Sequence, residues 1–194
     1  VKILTFAASL RKDSHNRLLI AQAGSILRRA RPDWGVDAAD FREFEMPIYD
    51  GDAEEASGLP AGASELVRRV HASDAVVIST PEYNGGIPGA LKNAIDWASR
   101  AEEYPFDSKP ILLLSASPGA FGGVRGLWHT RVPLEAMGSR VYPEMFGLPK
   151  AHQAFAQDGA FTDPKNVARL QELLESFADF AKRLTPREPA TPGA

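Results

Sequence analysis

The chain of 194 residues contains no cysteine. Disulfides, thiolate metal sites, iron–sulfur clusters and a catalytic thiol are thereby excluded. Histidine is scarce: His15, His71, His129 and His152 are all there is. They form no H-E-x-x-H pattern, so no metal site is expected. No uninterrupted apolar stretch is long enough to span a bilayer. Val1-Lys2-Ile3-Leu4-Thr5-Phe6 reads as a first strand and is too short for the apolar region of a signal peptide. These readings lead us to expect no membrane partner and a cytoplasmic location. An excess of one charge is missing too. A net charge of −3, from 22 basic and 25 acidic residues, carries no footprint for nucleic acid. There is no G-x-x-x-x-G-K-[ST], so nothing supports ATP hydrolysis, and no G-x-G-x-x-G follows the first strand.

What remains is an ordinary globular composition, 44% hydrophobic and 24% charged. The length suits one domain, expected over 1–185, with 186–194 as a mobile tail rich in proline. The chain is organised around residues 80–97. An apolar run, Ala75-Val76-Val77-Ile78-Ser79, ends in Thr80-Pro81-Glu82-Tyr83-Asn84-Gly85-Gly86-Ile87-Pro88-Gly89. A helix follows, with Leu91, Ala94, Ile95 and Ala98 on one face. Gly85, Gly86 and Gly89 permit positive φ and close approach to a ligand. Strand, rigid loop with an exposed aromatic, then helix is a ligand-binding edge in an open α/β sheet.

The same alternation runs along the chain. Strands are expected at 1–7, 35–41, 75–80, 110–115 and 140–146. Helices are expected after Asn16, over 63–73, from 89 to about 100, over 124–137 and from Pro164. The last helix presents Leu170, Leu174, Phe177, Ala181 and Leu184 on one face. Residues 42–62 read as a long exposed connection. Five strands with crossover helices favour a parallel sheet covered on both faces. In a 2-1-3-4-5 order, the loops after strands one, three and four meet at the switch point.

Loop one, Ser9-Leu10-Arg11-Lys12-Asp13-Ser14-His15-Asn16, precedes a helix whose first N–H groups favour anions. Ser9, Ser14 and Asn16 add neutral donors, Arg11 adds charge, and His15 lies among them. Simple N-capping by Asp13 or Ser14 competes with that reading but leaves the density of donors unexplained. Loop three carries Ser115, Ser117, Gly119, Gly122, Gly123 and Arg125. Ser115-Ala116-Ser117-Pro118-Gly119 is a near miss to the G-x-S-x-G elbow, but no histidine follows its candidate acids. Ser9-Leu10-Arg11-Lys12 matches S-x-x-K without its S-D-N and K-T-G partners. Both hydrolase readings are therefore weak.

The strings Pro-Glu-Tyr-Asn-Gly and Ile-Pro-Gly-Ala-Leu-Lys-Asn-Ala-Ile-Asp-Trp resemble the NADPH-dependent FMN reductases, a family of flavodoxin-like fold that includes chromate, quinone and azo-dye reductases. Ser9 to Asn16 is similar to that family's S-x-R-x-x-S-x-N phosphate loop, with Ala8 where many relatives have glycine. The resemblance implies a five-stranded parallel sheet in the order 2-1-3-4-5. It implies that Ser9, Arg11, Ser14 and Asn16 bind the FMN phosphate. Pro81, Glu82, Tyr83, Asn84 and Gly85 would position the flavin ring, partly through backbone N–H groups. Ser117 and Gly119 would pass its edge. NADPH, with NADH as the alternative, would be the donor, and it needs no dinucleotide fingerprint if it only stacks on a flavin. A quinone, azo compound, metal oxyanion or free flavin would be the small-molecule acceptor. The chemistry belongs to the flavin, so no catalytic residue is named, and Glu82 as a general base has no support.

Relatives pair through the helix after loop two, which implies a homodimer or a pair of dimers. Trp97 and Trp128 both read as packing residues; Trp97, which falls outside the apolar face of that helix, is also the expected contact. A flavodoxin-type electron carrier without NAD(P)H turnover is the alternative, although carriers are usually strongly acidic. A flavin-binding homologue without turnover is the third reading.

Overall fold

The computed structural model describes residues 1–185, so the expected tail at 186–194 lies outside the described residues. Six parallel strands form one sheet: β1 (Lys2–Ala7), β2 (Gly35–Ala39), β3 (Ala75–Ser79), β4 (Pro110–Ala116), β5 (Arg140–Val141) and β6 (Phe146–Leu148). The order is β2-β1-β3-β4-β5, with β6 also paired to β4. The expected fifth strand is thus split. Pro143, which has no N–H to donate, follows Tyr142 at the break. Phe146 resumes the pairing against Leu114.

Successive side chains of the central strands point to opposite faces, and each face is buried. Ile3, Val77, Leu112 and Leu114 join one core with α1 (His15–Ala30), the short α6 (Ala151–Ala154) and α7 (Pro164–Leu184). Leu4, Phe6, Val76, Ile78 and Leu113 join the other, with α3 (Ala61–His71), α4 (Gly89–Ala98) and α5 (Val124–Ala136). Strands buried on both faces read as near-continuous apolar runs, which is why β1, β3 and β4 were legible. Helix α7 starts where Asp163 accepts the Lys165 N–H at 2.9 Å and Pro164 fills its first turn. Its inner face includes Leu173 and Ala178, whereas Leu184 is exposed, contrary to expectation.

The stretch 42–62 is not a bare connection. A 3-10 helix at Phe41–Phe44 carries a capping box in which Asp40 and Glu43 satisfy each other's backbone N–H groups. Phe41 and Phe44 enter the core against Phe6. A short helix α2 (Gly51–Ser57) follows, capped by Asp50.

Trp97 is a packing residue, and its reading as a subunit contact is overturned. It is 1% exposed, buried within a single chain. The segment Pro47 to Tyr49 lies over it. Trp97 Nε1 donates to the Pro47 carbonyl at 2.8 Å, and the Tyr49 ring meets the indole edge-on at 5.0 Å. A helical wheel shows only the helix, and the cover comes from a segment about fifty residues earlier. Trp128 is reversed in the other sense, being 58% exposed. Because Trp97 fills a core, Trp97→Ala should lower unfolding free energy by about 3–5 kcal/mol. Urea denaturation at two protein concentrations checks this. An interface role would instead make the loss depend on concentration.

Candidate active site

The carboxyl ends of β1, β3 and β4 bring three loops to one cleft of about 230 Å³. Ser9, Arg11, Asp13, Ser14, His15 and Asn16 line it from loop one. Pro81, Glu82 and Tyr83 come from loop two, and Ala116, Ser117 and Pro118 from loop three. Asn84, Gly85 and Gly119 do not line the wall. Asp13, Ala116 and Pro118 do, and sequence reasoning had not named them as site residues; Ala116 and Pro118 simply flank Ser117.

Loop one is folded by its helix. Ser14 is the N-cap of α1: its hydroxyl accepts the Asn16 N–H at 3.2 Å. The first turn of α1 contains no acidic side chain, which keeps that end of the helix attractive to an anion. Ser9 is buried and Arg11 is exposed, and Arg11 makes no ion pair among the described residues. Ala8 is not in the left-handed region, so alanine replaces the family's glycine without strain. His15 stacks near Phe155, with ring centres 6.3 Å apart. Burial, then the charges of Arg11 and His152, hold its pKa below the usual histidine value. The folded cleft therefore favours neutral His15. An anion bound beside it would raise the pKa again and draw a proton in.

Asn16 lines the cleft and also has a role within the fold. Its side chain is buried and spans the sheet. Nδ2 donates to the Ala116 carbonyl at 3.0 Å, while Oδ1 accepts the Ala116 N–H at 2.9 Å and the Ser79 hydroxyl at 2.9 Å. The amide oxygen and one N–H are thus committed to the ends of β4 and β3. Ser79 was missed as a site partner; its signal is a hydroxyl closing an otherwise apolar run.

Loop two is a tight hairpin. Tyr83 and Gly86 exchange both backbone hydrogen bonds, at 3.2 and 3.0 Å. Asn84 and Gly85 between them have φ of 53° and 77°, the pattern of a type I′ turn, which suits Asn-Gly. Gly86 and Gly89 do not use positive φ, contrary to expectation. The Tyr83 N–H is spent inside the turn, and its ring stays exposed. Glu82 is committed as well. Its carboxylate accepts the N–H groups of Arg125 and Gly126 at 3.1 and 3.2 Å and pairs with the Arg125 guanidinium at 2.5 Å. Helix α5 has no side-chain cap of its own, since Gly123 is its N-cap residue. Loop two supplies the cap in trans. Burial pushes the Glu82 pKa up, but Arg125 and the two N–H groups outweigh it, and the carboxyl sits below the usual range. An ionised, fully engaged carboxylate is a poor general base. The same bonds occupy the Arg125 guanidinium.

Loop three folds on itself: the Ser117 hydroxyl accepts the Gly119 N–H at 3.2 Å. Gly122, at φ 60°, packs against β6 so closely that a Cβ would lie 2.8 Å from the Gly147 carbonyl carbon. The hydroxyl of Ser115 is buried without a hydrogen-bond partner. Among the described residues, no group of three or more His, Asp or Glu side chains is placed to hold a metal ion.

A doubly wound sheet with three polar and glycine-containing loops at its switch point, one beside a helix N-terminus, defines a nucleotide-type binding protein of the flavodoxin-like class. Comparison with known proteins narrows the class. The family model described as NADPH-dependent FMN reductase matches residues 1–153. A quinone reductase of Escherichia coli K12 is 34% identical over 186 residues, covering 95% of this chain and 97% of that protein. An NAD(P)H-dependent FMN reductase of Pseudomonas aeruginosa is also 34% identical over the same coverage. Among solved structures, the flavoenzyme NAD(P)H:(acceptor) oxidoreductase FerB of Paracoccus denitrificans superposes with a TM-score of 0.77 at 30% identity, covering 94% of this chain and 97% of that one. The chain belongs to the NADPH-dependent FMN reductase family, whose cofactor is FMN and whose electron donor is NAD(P)H.

The cleft fits FMN. Hydroxyl and cationic donors gather at the α1 N-terminus, where a phosphate belongs. A hairpin and a small-residue loop flank the rest. Asn16 holds this arrangement together, so Asn16→Ala should leave Ser79 Oγ and both Ala116 backbone groups without partners. We expect a loss of about 1–3 kcal/mol in stability, measured by denaturation of flavin-free protein. A loss below about 0.5 kcal/mol, within the ordinary scatter for surface changes, would show that the amide is dispensable to the fold.

Proposed function

We propose that the protein catalyses two-electron reduction of a quinone by NAD(P)H, with FMN held in the cleft. The carrying observation is that Ser9, Arg11, Ser14, His15, Pro81, Glu82, Tyr83 and Ser117 meet on one cleft at the carboxyl end of the sheet. The balance is NAD(P)H plus a proton plus quinone, giving NAD(P)⁺ plus hydroquinone. When bound, FMN supplies the hydride transfer in both directions. The chain supplies the rest. The N–H groups of the α1 end, the Ser9 hydroxyl and Arg11 bind the phosphate, and His15 adds a proton-dependent charge beside it. Ser14 and Asn16 fix the loop that presents those donors. Pro81, Glu82 and Tyr83 set the ring position, with Asn84 and Gly85 forming the turn behind them and the Glu82 carboxylate holding the hairpin against α5. Ser117 closes the third side, held by its bond from the Gly119 N–H. Azo compounds, metal oxyanions and free flavin are weaker choices for the acceptor, because quinone reductases recur among the relatives that align nearly end to end. A soluble nicotinamide donor makes the cytoplasm the compartment we propose.

The test is steady-state NADPH and NADH oxidation by purified protein with added FMN and benzoquinone. We expect rates at least about a thousandfold above the uncatalysed exchange and a bound-flavin absorption band. Ser9→Ala should weaken FMN about tenfold, as loss of a bond to a charged group implies, and leave riboflavin affinity nearly unchanged. A yellow protein that oxidises neither nucleotide would leave only flavin binding.

We also propose that the protein works as a homodimer, or as a pair of dimers, with the contact moved from Trp97 to α5. Trp128 and Val132 lie one turn apart there and are 58% and 66% exposed, and Phe121 before the helix is 71% exposed. Such a stripe is a candidate for burial against a second copy. Light scattering at low micromolar concentration should give twice the chain mass or more, and Trp128→Ala should lower it. A monomer with full turnover refutes the assembly.

A further inference from the structure

A second concavity lies beside the cleft, and the site described above does not use it. It has a volume of about 390 Å³ and is walled by Leu10, Phe44, Met46, Ile48 and Ala90, with Arg42 at its polar margin. The contrast with the cleft is chemical. The cleft draws most of its lining residues from hydroxyl, amide and charged types and its surface is nearly evenly polar and apolar, whereas the surface of this groove is mostly hydrocarbon. Organic ligands of moderate size favour concavities of roughly 300–1,000 Å³ lined by apolar side chains with few polar groups. The groove meets that description.

Its walls are held in place. Asn93 Nδ2 and Trp97 Nε1 both donate to the Pro47 carbonyl at 2.8 Å, and Asn93 Oδ1 accepts the Tyr49 N–H at 2.8 Å. These bonds pin the segment that carries Met46 and Ile48 onto α4. On the opposite wall the Arg42 guanidinium donates to the Leu10 carbonyl. The groove is therefore formed before any ligand arrives, although Ile48 is left 80% exposed and Leu10 48% exposed. It adjoins the cleft along loop one, since Leu10 on its wall stands between Ser9 and Arg11 on the cleft wall. Ala90 stands at the start of α4, directly after loop two.

We infer that this groove, pinned by Asn93 and Trp97 and adjoining the cleft at Leu10, binds the hydrocarbon substituent or fused ring of the quinone. The inference rests on the quinone reading above. A quinone head at the cleft needs contact with the flavin, so any bulky substituent must leave sideways, and the apolar surface adjoining loop one receives it. Each buried methylene contributes enough to shift affinity roughly fourfold. A second copy of the chain is the competing occupant, but the convex stripe on α5 suits that contact better than a concavity does.

The experiment compares decyl-substituted benzoquinone with unsubstituted benzoquinone on the FMN-loaded enzyme. Wild type should show the lower KM for the decyl quinone. Ile48→Ser, at a position too exposed to disturb folding, should raise that KM about fivefold and leave kcat and the benzoquinone KM within about twofold. Ala90→Phe, which fills the groove from α4, should act in the same direction. Variants that change neither KM, or both alike, overturn the subsite. So does a variant that alters the mass seen by light scattering while sparing the decyl KM, since the groove is then a contact between copies. Wild type that turns over NADPH with neither quinone removes the quinone reading itself, and the subsite with it.

Discussion

One buried amide decides whether this molecule has a cleft at all. Asn16 sits at the start of α1, yet its side chain ends on β3 and β4. Backbone pairing of the three strands ends with the Ala8 N–H on the Ser79 carbonyl and the Thr80 N–H on the Leu114 carbonyl, and the loops beyond have no ladder to keep them together. A group that accepts from Ser79 and exchanges both bonds with Ala116 restores that tie where the backbone cannot. The bonds are buried, so none competes with water, and a missing partner would strand the others. Loop one is held in place because its helix is fastened to the sheet beneath the loops.

The same logic recurs at loop two. A type I′ hairpin is stiff within itself but needs an anchor to hold its direction. Glu82 provides it by entering the N-terminus of α5, where Gly123 leaves the first N–H groups without a cap. Gly126 is part of the fit, since a Cβ there would come within 3.0 Å of the Glu82 backbone. The arrangement also settles the chemistry available to this carboxylate. With its pKa held below the ordinary range, it adds stability above that range and loses it only as pH falls through the depressed value. It is spent on position and cannot also move protons near neutrality.

The legible parts of the sequence are those whose information is local. β1, β3 and β4 announce themselves as apolar runs, Asn84-Gly85 as a turn, and Ser14 as a cap. Three such loops in a doubly wound order were enough to expect a shared cleft. What was illegible depends on partners distant in sequence. Trp97 looks outward on its own helix, and only the Pro47–Tyr49 cover reverses that. Trp128 looks like packing until nothing covers it. Asn16 reads as a ligand because its spacing matches a phosphate motif, while its bonding lies 63 and 100 residues away. A motif records which residue types are kept together and does not distinguish those that touch a ligand from those that hold the others in place.

That distinction recasts the longest motif of the chain. Asn93 and Trp97 belong to the string that carries the family resemblance, yet neither lines the cleft. Both reach the same carbonyl, Pro47, and so fix an irregular segment that a short exposed sequence could not fix alone. Irregular backbone can form a precise wall only when its carbonyls and N–H groups are satisfied by something rigid, and α4, buried through Leu91, Ala94 and Ile95, is rigid. Loop two and α4 therefore do two jobs from one stretch of sequence. The loop faces the cleft, and the helix behind it builds the apolar wall beside the cleft. This accounts for a motif that runs well past the residues near any cofactor: its second half holds the ground next to the site.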